Sequence, residues 1–334
     1  MAERHLAMIG CGRIAHLLES DPLRYKPCTH LGAALRLQAE FPELSIRTLC
    51  DLDNNRLAQA EEFVLSEQTH NPLLTNDYQE ALETAPDIAV IATTTESHFE
   101  ILEKALALNI PAIVIEKPVC LNEKTAVKLA ALAEKSKSRI WVNYERRYHP
   151  KYLKLKKIID AKEFGFPLYY KGTFLAPAKS LFPKDKDDEG VLLHDTTHLL
   201  DLAFFLFGQP RTYQPADKRH LQHQYHNLLL EHEEGIVGDI TTITHSPTFH
   251  FELQILFEEA RITAGNGFYH IEKIKKSRHY ENFFSLDSLK VKKEKRIKTD
   301  KNPFVRLYRK VMNGSEDANS FSDALLNVKI LSGN

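Results

Sequence analysis

No stretch of this sequence approaches the roughly 18 consecutive apolar residues that a membrane-spanning helix requires. The N-terminal apolar run in MAERHLAMIGCG is broken by Gly10 too soon for a secretory leader, which leaves the cytoplasm as the expected compartment. Neither sign of charge is in excess: 44 Lys and Arg stand against 45 Asp and Glu, a net charge of -1. No overall field therefore draws the chain to nucleic acid or to an anionic membrane, and a small molecule or another protein is the expected partner. Cysteine is sparse, and Cys11, Cys28, Cys50 and Cys120 form no CxxC pair, so a disulfide framework is excluded and a reduced compartment is favoured. Internal repeats and low-complexity tracts are also missing.

What is present is a chain of 334 residues, 43% hydrophobic, long enough for two domains with a core each. From residue 4 to 145, short apolar runs (HLAMIG, LSIRTLCD, DIAVIAT, AIVIEKP, RIWVNY) alternate with helical patterns such as NDYQEALETA, ESHFEILEKALAL and NEKTAVKLAALAEKS. Continuous apolar runs suit strands buried on both faces of a parallel sheet, so this half reads as a doubly wound α/β domain. After Pro150 a helix, KYLKLKKIID, and a strand, PLYYKGTFLA, lead to long alternating runs from YHNLLLEHE to FYHIEKIKK, the pattern of an antiparallel sheet. The basic segment KVKKEKRIKTDK reads as a solvated hairpin or loop, and the tail returns to helix. The expected domains are 1–145, of Rossmann type, and 146–334, an α/β domain with a large, mostly antiparallel open sheet, whose last helix is free to pack back on the first.

IGCGRIA places Gly10 and Gly12 just after the first strand, with Ala15 where a third glycine would stand. Such a turn lets the backbone approach a pyrophosphate and offers it the N–H groups of the following helix. Asp51 ends the second strand, where a carboxylate accepts from adenosine ribose hydroxyls and repels a 2′-phosphate, favouring NAD over NADP. The interval from Gly12 to Asp51 is nearly double the usual ~20 residues. The excess falls in LLESDPLRYKPCTHLG, where Pro22 and Pro27 predict a loop inserted into or after a shortened first helix. That loop is either simply solvated or covers substrate with Arg24, Tyr25 or Lys26.

IVIEKPV puts Glu116 and Lys117 at the carboxyl end of a buried strand, the edge where open α/β sheets bind ligands, with Pro118 as a candidate cis-proline. A partly desolvated lysine beside a nicotinamide ring is suited to donate or relay a proton. Further on, LLHDTTHLLD carries two histidines and two aspartates. As an α-helix over 191–207, it sets His194, Thr197, His198 and Asp201 on one face. A shared metal would need a third ligand, and none is expected.

Taken in order, GCGRIA, VIATTTESHFEILEKALALNIPAIVIEKPV, WVNYERRYHP and GVLLHDTTHLLDLAFFLFG resemble the successive signatures of the glucose–fructose oxidoreductase / inositol dehydrogenase / MocA family over most of the chain. The resemblance implies NAD(P)-dependent oxidation or reduction at a carbon of a sugar, sugar derivative, sugar nucleotide or cyclitol, in a homodimer or homotetramer assembled through the C-terminal sheet. It also leaves room for an NAD-retaining glycosidase or lyase, or a non-catalytic sensing regulator, on the same scaffold. It matches Lys117 to the family's EKP lysine, His98 to the histidine near the cofactor, and His198 to the histidine beside the substrate carbon, where it is expected to remove the hydroxyl proton. His194 occupies the family's aspartate position and Asp195 falls one step on, a rotation of about 100° on an α-helix; Thr94 replaces a customary proline. The expected site is therefore Lys117, His198, His194 and Asp195 for catalysis. Gly10, Gly12, Arg13, Ile14, Asp51, Thr93, Thr94, His98 and Glu116 are expected on the cofactor, and Tyr144, Arg146, Arg147 and Thr197 on the substrate. The stretch NYERRYHP leaves open whether its arginines reach a substrate anion or form an interdomain ion pair.

Overall fold

The computed structural model describes residues 3–177, 192–214, 225–288, 292–293, 297–315 and 320–332. Its helices are α1 (His30–Leu37), α2 (Asn54–Leu65), α3 (Tyr78–Glu83), α4 (Thr95–Ala107), α5 (Glu123–Lys135), α6 (Pro150–Asp160), α7 (Thr197–Phe207), α8 (Pro303–Met312) and α9 (Ser320–Ser332). The chain forms two compact units, Met1–Pro150 with Ile297–Lys329, and Lys151–Arg296 with Ile330–Asn334. Most of the last helix, α9, belongs to the first unit, as the expected domains allowed, and α8 belongs to it as well, which they did not include. The reason lies in their apolar faces: Phe304, Leu307 and Tyr308 share one core layer with α1 and α2, and Ala324 and Val328 share another with α4 and α5.

In the first unit, β1 (Arg4–Ile9), β2 (Leu44–Cys50), β3 (Leu73–Thr75), β4 (Ile88–Ile91), β5 (Ala112–Ile115) and β6 (Arg139–Val142) make a parallel sheet in the order β3-β2-β1-β4-β5-β6. The order reverses between β1 and β4, which opens a crevice at the carboxyl ends of those strands. β4 and β5 are buried at every position, which is why they read as unbroken apolar runs. β3 was not anticipated; it has three residues, and both of its leucines are exposed. Polar side chains start several helices: Asp53, Asp77, Asn122 and Asn302 each accept from backbone N–H groups of the first turn.

In the second unit, β7 (Pro167–Pro177), β8 (Thr212–Gln214), β9 (Tyr225–Glu231), β10 (Val237–Ser246), β11 (His250–Phe257), β12 (Ala260–Gly265), β13 (Phe268–Lys276) and β14 (Phe284–Ser288) pair in the order β14-β13-β12-β11-β7-β10-β9-β8, and β15 (Lys292–Lys293) pairs with β13. The β7–β10 pair is parallel and the other described pairs are antiparallel. The single run FHFELQILFEEARITA is two strands, folded back at Glu258 and Glu259. Along β11, buried and half-buried residues alternate, so one face of the sheet is sealed. Helix α7 lies on that face. Gly172 of β7 gives it room, since a Cβ there would stand 2.7 Å from the Leu199 side chain. Of the basic segment, residues 290–291 and 294–296 lie outside the described residues, β15 is a strand and Thr299–Lys301 is a 3-10 turn. No helix among the described residues is long and apolar enough to cross a membrane.

Candidate functional site

At the carboxyl ends of β1, β2 and β4 lies a cavity of about 760 Å³, lined by Gly10, Gly12, Arg13, Asp51, Thr93 and Thr94 among others. Gly10 has φ +93°, and a Cβ there would stand 2.6 Å from the Ala92 carbonyl, so the close approach of the first turn to β4 requires glycine. Gly12 differs. A Cβ on it would meet no protein atom within 4 Å and would occupy cavity instead. The Asp51 carboxylate is held at both oxygens: Oδ2 accepts from Cys11 N at 2.7 Å and Oδ1 from Asp53 N at 2.9 Å. Asn76, which also lines the cavity, donates to the Asp51 carbonyl at 2.8 Å. A fixed carboxylate at the end of β2 and an unobstructed glycine at the end of β1 fit the ribose and diphosphate of a dinucleotide. Arg56, Asn76 and Ser97 line the cavity too and carried no motif in the sequence. Ile14 instead packs against the core layer of α1 and α2.

The helix expected to start at the glycine turn is interrupted. Residues 12–16 make one turn, Leu17–Ser20 form a 3-10 turn, and α1 begins only at His30. Yet His30 N donates to the Ile14 carbonyl at 3.1 Å and Leu31 N to the Ala15 carbonyl at 2.9 Å. The loop is thus inserted into the helix, whose hydrogen-bond ladder resumes on the far side. A bound phosphate would face one isolated turn rather than the start of a continuous helix, the shortened first helix with an inserted loop that Pro22 and Pro27 predict.

Lys117 is half-buried at the end of β5, and the Lys117–Pro118 peptide is cis. Glu116 points inward: its Oε1 takes His30 Nε2 at 2.8 Å and Asn143 Nδ2 at 2.5 Å. Burial, the strongest influence on Glu116, opposes its ionisation, but the His30 hydrogen bond and charge, Asn143 and Lys117 together hold its pKa below the ordinary carboxylate value. His98, only 1% exposed, sits between the carbonyls of Pro118 (Nδ1, 2.9 Å) and Thr93 (Nε2, 3.2 Å). Its place is behind the cavity wall, tying the segment after β4 to the segment after β5.

Two residues expected on the substrate lie in the first unit's interior. Tyr144 is 1% exposed, and its hydroxyl accepts from Asn327 at 3.3 Å. Arg147 forms a buried pair with Asp323 at 2.6 Å. This ion pair is internal to the first unit and clamps α9 to the segment after β6. Arg146 stands 4.0 Å from Glu145. The alternation of sequence could not reveal these burials, because both partners belong to the C-terminal helix that returns from far along the chain.

In the second unit, the stretch LLHDT is a π-helical turn, Leu192–Thr196, that leads into α7. Val191, the expected first residue of the helix, lies outside the described residues. The wider turn breaks the 3.6-residue phase on which the stripe of His194, Thr197, His198 and Asp201 was drawn. His194 is exposed, Asp195 and His198 are half-buried, and Thr197 and Asp201 are buried at 1% and 0%. Thr196 Oγ1 bonds Thr242 Oγ1 of β10 at 2.9 Å and anchors the turn to the sheet.

Residues 4–144 match the model of a family described as "Oxidoreductase family, NAD-binding Rossmann fold". Residues 152–263 match the one described as "GFO/IDH/MocA C-terminal domain". The scyllo-inositol 2-dehydrogenase (NAD(+)) of Bacillus subtilis (strain 168) is 28% identical over 189 residues, 54% of this chain and 55% of that protein. An inositol 2-dehydrogenase/D-chiro-inositol 3-dehydrogenase of Lactiplantibacillus plantarum is 25% identical over 229 residues, 66% of this chain and 59% of that protein. The chain spans somewhat over half the length of these curated relatives. A dehydrogenase from Chromobacterium violaceum shares the fold, with a TM-score of 0.78 at 16% identity over 99% of this chain and 94% of that one. Because paired models of one family account for the sheet that carries the glycine turn and for most of the sheet that follows, the chain belongs to the GFO/IDH/MocA oxidoreductase family.

Proposed function

We propose that this protein is an NAD(H)-linked dehydrogenase or reductase acting on a hydroxyl or ketone carbon of a sugar, sugar derivative, sugar nucleotide or cyclitol. The observation that carries the reading is the Asp51 carboxylate, fixed by two backbone N–H groups beside Gly12 on the wall of a cavity large enough for a dinucleotide. A carboxylate held this way accepts from ribose hydroxyls and repels a 2′-phosphate, so NAD is preferred to NADP. The inositol dehydrogenases among its relatives support a polyhydroxylated substrate.

When bound, NAD supplies a hydride acceptor, and its reduced form a donor. The protein's task is then to move one proton and hold the oxygen that changes charge. Lys117, an ammonium on a half-buried strand end, is assigned to stabilise the developing alkoxide. His198 is assigned to take the hydroxyl proton on a ring nitrogen, a contribution of about 100- to 10,000-fold. Asp195, half-buried on the π-helical turn, is the carboxylate nearest in sequence to the family's acid position, which the exposed His194 occupies. Copies are proposed to pair through the open face of the second unit's sheet, where Leu229 and Val237 are exposed. The four buried free cysteines support work in a reducing compartment.

The experiment is a fluorescence titration with NADH and NADPH, followed by a screen of inositols, sugars and sugar nucleotides for appearance of reduced nicotinamide. Saturable NADH binding and turnover of one such polyol are expected. Absence of binding to either nucleotide sinks the reading, and turnover with no net change in nicotinamide moves it to the NAD-retaining glycosidases and lyases.

A further inference from the structure

We propose that His30 is the positioning residue for Lys117: through Glu116 it fixes the strand end from which the lysine amine projects. The inference rests on the assignment of Lys117 above. His30 reaches no cavity, since it is 1% exposed and both ring nitrogens are engaged, Nδ1 with Tyr308 Oη at 2.8 Å and Nε2 with Glu116 Oε1 at 2.8 Å. Its ring meets Phe304 and Tyr308 edge to face, at centroid distances of 5.5 and 5.8 Å.

Proton counting fixes which partner donates at Glu116. Asn143 Nδ2 only donates, so the Glu116 oxygen it shares with His30 is an acceptor, and His30 Nε2 carries a proton toward it. Its Nδ1 is engaged by the Tyr308 hydroxyl, which burial keeps protonated and which can meet the ring as donor or acceptor. Tyr308 therefore holds the ring at its far nitrogen, so the orientation in which Nε2 meets Glu116 is fixed from both ends. The neighbour on the other side of Lys117 is pinned as well, by His98 on the Pro118 carbonyl. Both residues flanking the lysine are thus tied to buried histidines, one from the helix layer on each face of the sheet.

The inserted loop acquires a purpose from this arrangement. By leaving the helix after its first turn, it lets residue 30 take the helical place one turn beyond Ile14. Its far end is set by Glu19 Oε1, which accepts from Cys28 N at 2.5 Å and Thr29 Oγ1 at 2.8 Å, and by Asn302 Nδ2, which donates to the Pro27 carbonyl at 2.6 Å. Asn302 caps α8, the helix that carries Tyr308, so one contact positions the loop end and the partner of His30 together.

The test compares His30→Gln with His30→Asn in the full chain. The glutamine amide falls near the place of Nε2 and still donates to Glu116; the asparagine amide falls near Nδ1 and does not. Expected for His30→Asn are a fall in kcat of about 100-fold with substrate KM and NADH affinity within about threefold, and a changed rate of Lys117 acetylation by acetic anhydride, read by mass spectrometry. His30→Gln is expected to restore most of both. The acetylation arm needs no substrate: a protein without dehydrogenase activity would end the functional reading, and the two variants would still have to differ at Lys117. Equal acetylation rates in the two variants, or a long-range ¹H–¹⁵N imidazole spectrum of the wild type that places no proton on His30 Nε2, would overturn the inference.

Discussion

The backbone N–H of His30 donates to the carbonyl of Ile14, a bond that a helix draws between successive turns, although a loop separates the two residues. The ladder on either side is therefore competent to be continuous. Excising Leu17–Cys28, so that His16 joins Thr29, is expected to leave a folded chain with an unbroken first helix. The excision strips Asn302 of the Pro27 carbonyl, a buried hydrogen bond whose loss costs about 1–3 kcal/mol. Circular dichroism and thermal melting check it, and failure of the shortened chain to fold would mean that the loop is an integral part of the unit.

The first sheet was legible because its central strands are buried on both faces and so carry no polar interruption. β4 and β5 are the clearest cases. Gly10 was legible because the local backbone, with its positive φ and close approach to Ala92, demands glycine, whereas Gly12 and Asp51 were read from their places after β1 and at the end of β2. What could not be read depends on partners distant in sequence. His30 looks like any histidine until Tyr308 and Glu116 are brought to it, and Arg147 looks like a substrate ligand until Asp323 arrives. The π-helical turn was hidden for another reason: periodicity assumes 3.6 residues per turn, and one wider turn shifts the phase of His194 without altering composition.

Gly10 and Gly12 are predicted to fail differently as alanine. At Gly10 the positive φ and the 2.6 Å approach to Ala92 backbone atoms leave no place for a Cβ, so Gly10→Ala is expected to lower stability by more than about 1 kcal/mol and depress the melting temperature. Gly12→Ala meets no protein atom, and is expected to melt like the parent while binding NADH at least several-fold more weakly. Parallel melting and NADH titration separate the two, and a Gly12→Ala protein that binds as well as the parent would show that the ligand does not approach this turn.

Asp51→Asn keeps the shape of the side chain and removes its charge. One of the two backbone donors at Cys11 and Asp53 loses its acceptor, and the repulsion of a 2′-phosphate disappears. NADH affinity is expected to fall by roughly 10- to 100-fold while NADPH affinity holds or rises, the range set by losing a charge-assisted hydrogen bond. Paired titrations with the two nucleotides measure it, and an unchanged ratio would remove Asp51 from the cofactor site.

His232 gives the second unit a predictable acid sensitivity. Its Nδ1–H donates to the Gly208 carbonyl at 2.8 Å and its Nε2 accepts the Tyr170 hydroxyl at 2.8 Å, so the neutral ring satisfies both partners and a second proton would force the Tyr170 hydroxyl to turn from donor to acceptor. Burial pushes its pKa down to about 4 from an ordinary 6.5, against the opposing pull of the Gly208 carbonyl. Because the unfolded chain takes up the proton first, the stabilisation is complete above pH 6.5 and is lost as pH falls toward 4, about 3 kcal/mol in all. Calorimetric melting across that window is expected to show the stability of the second unit rising with pH. In His232→Gln, which cannot take up the proton, that rise is expected to be smaller by the contribution of one proton, and identical slopes in parent and variant would show that His232 is not the group responsible.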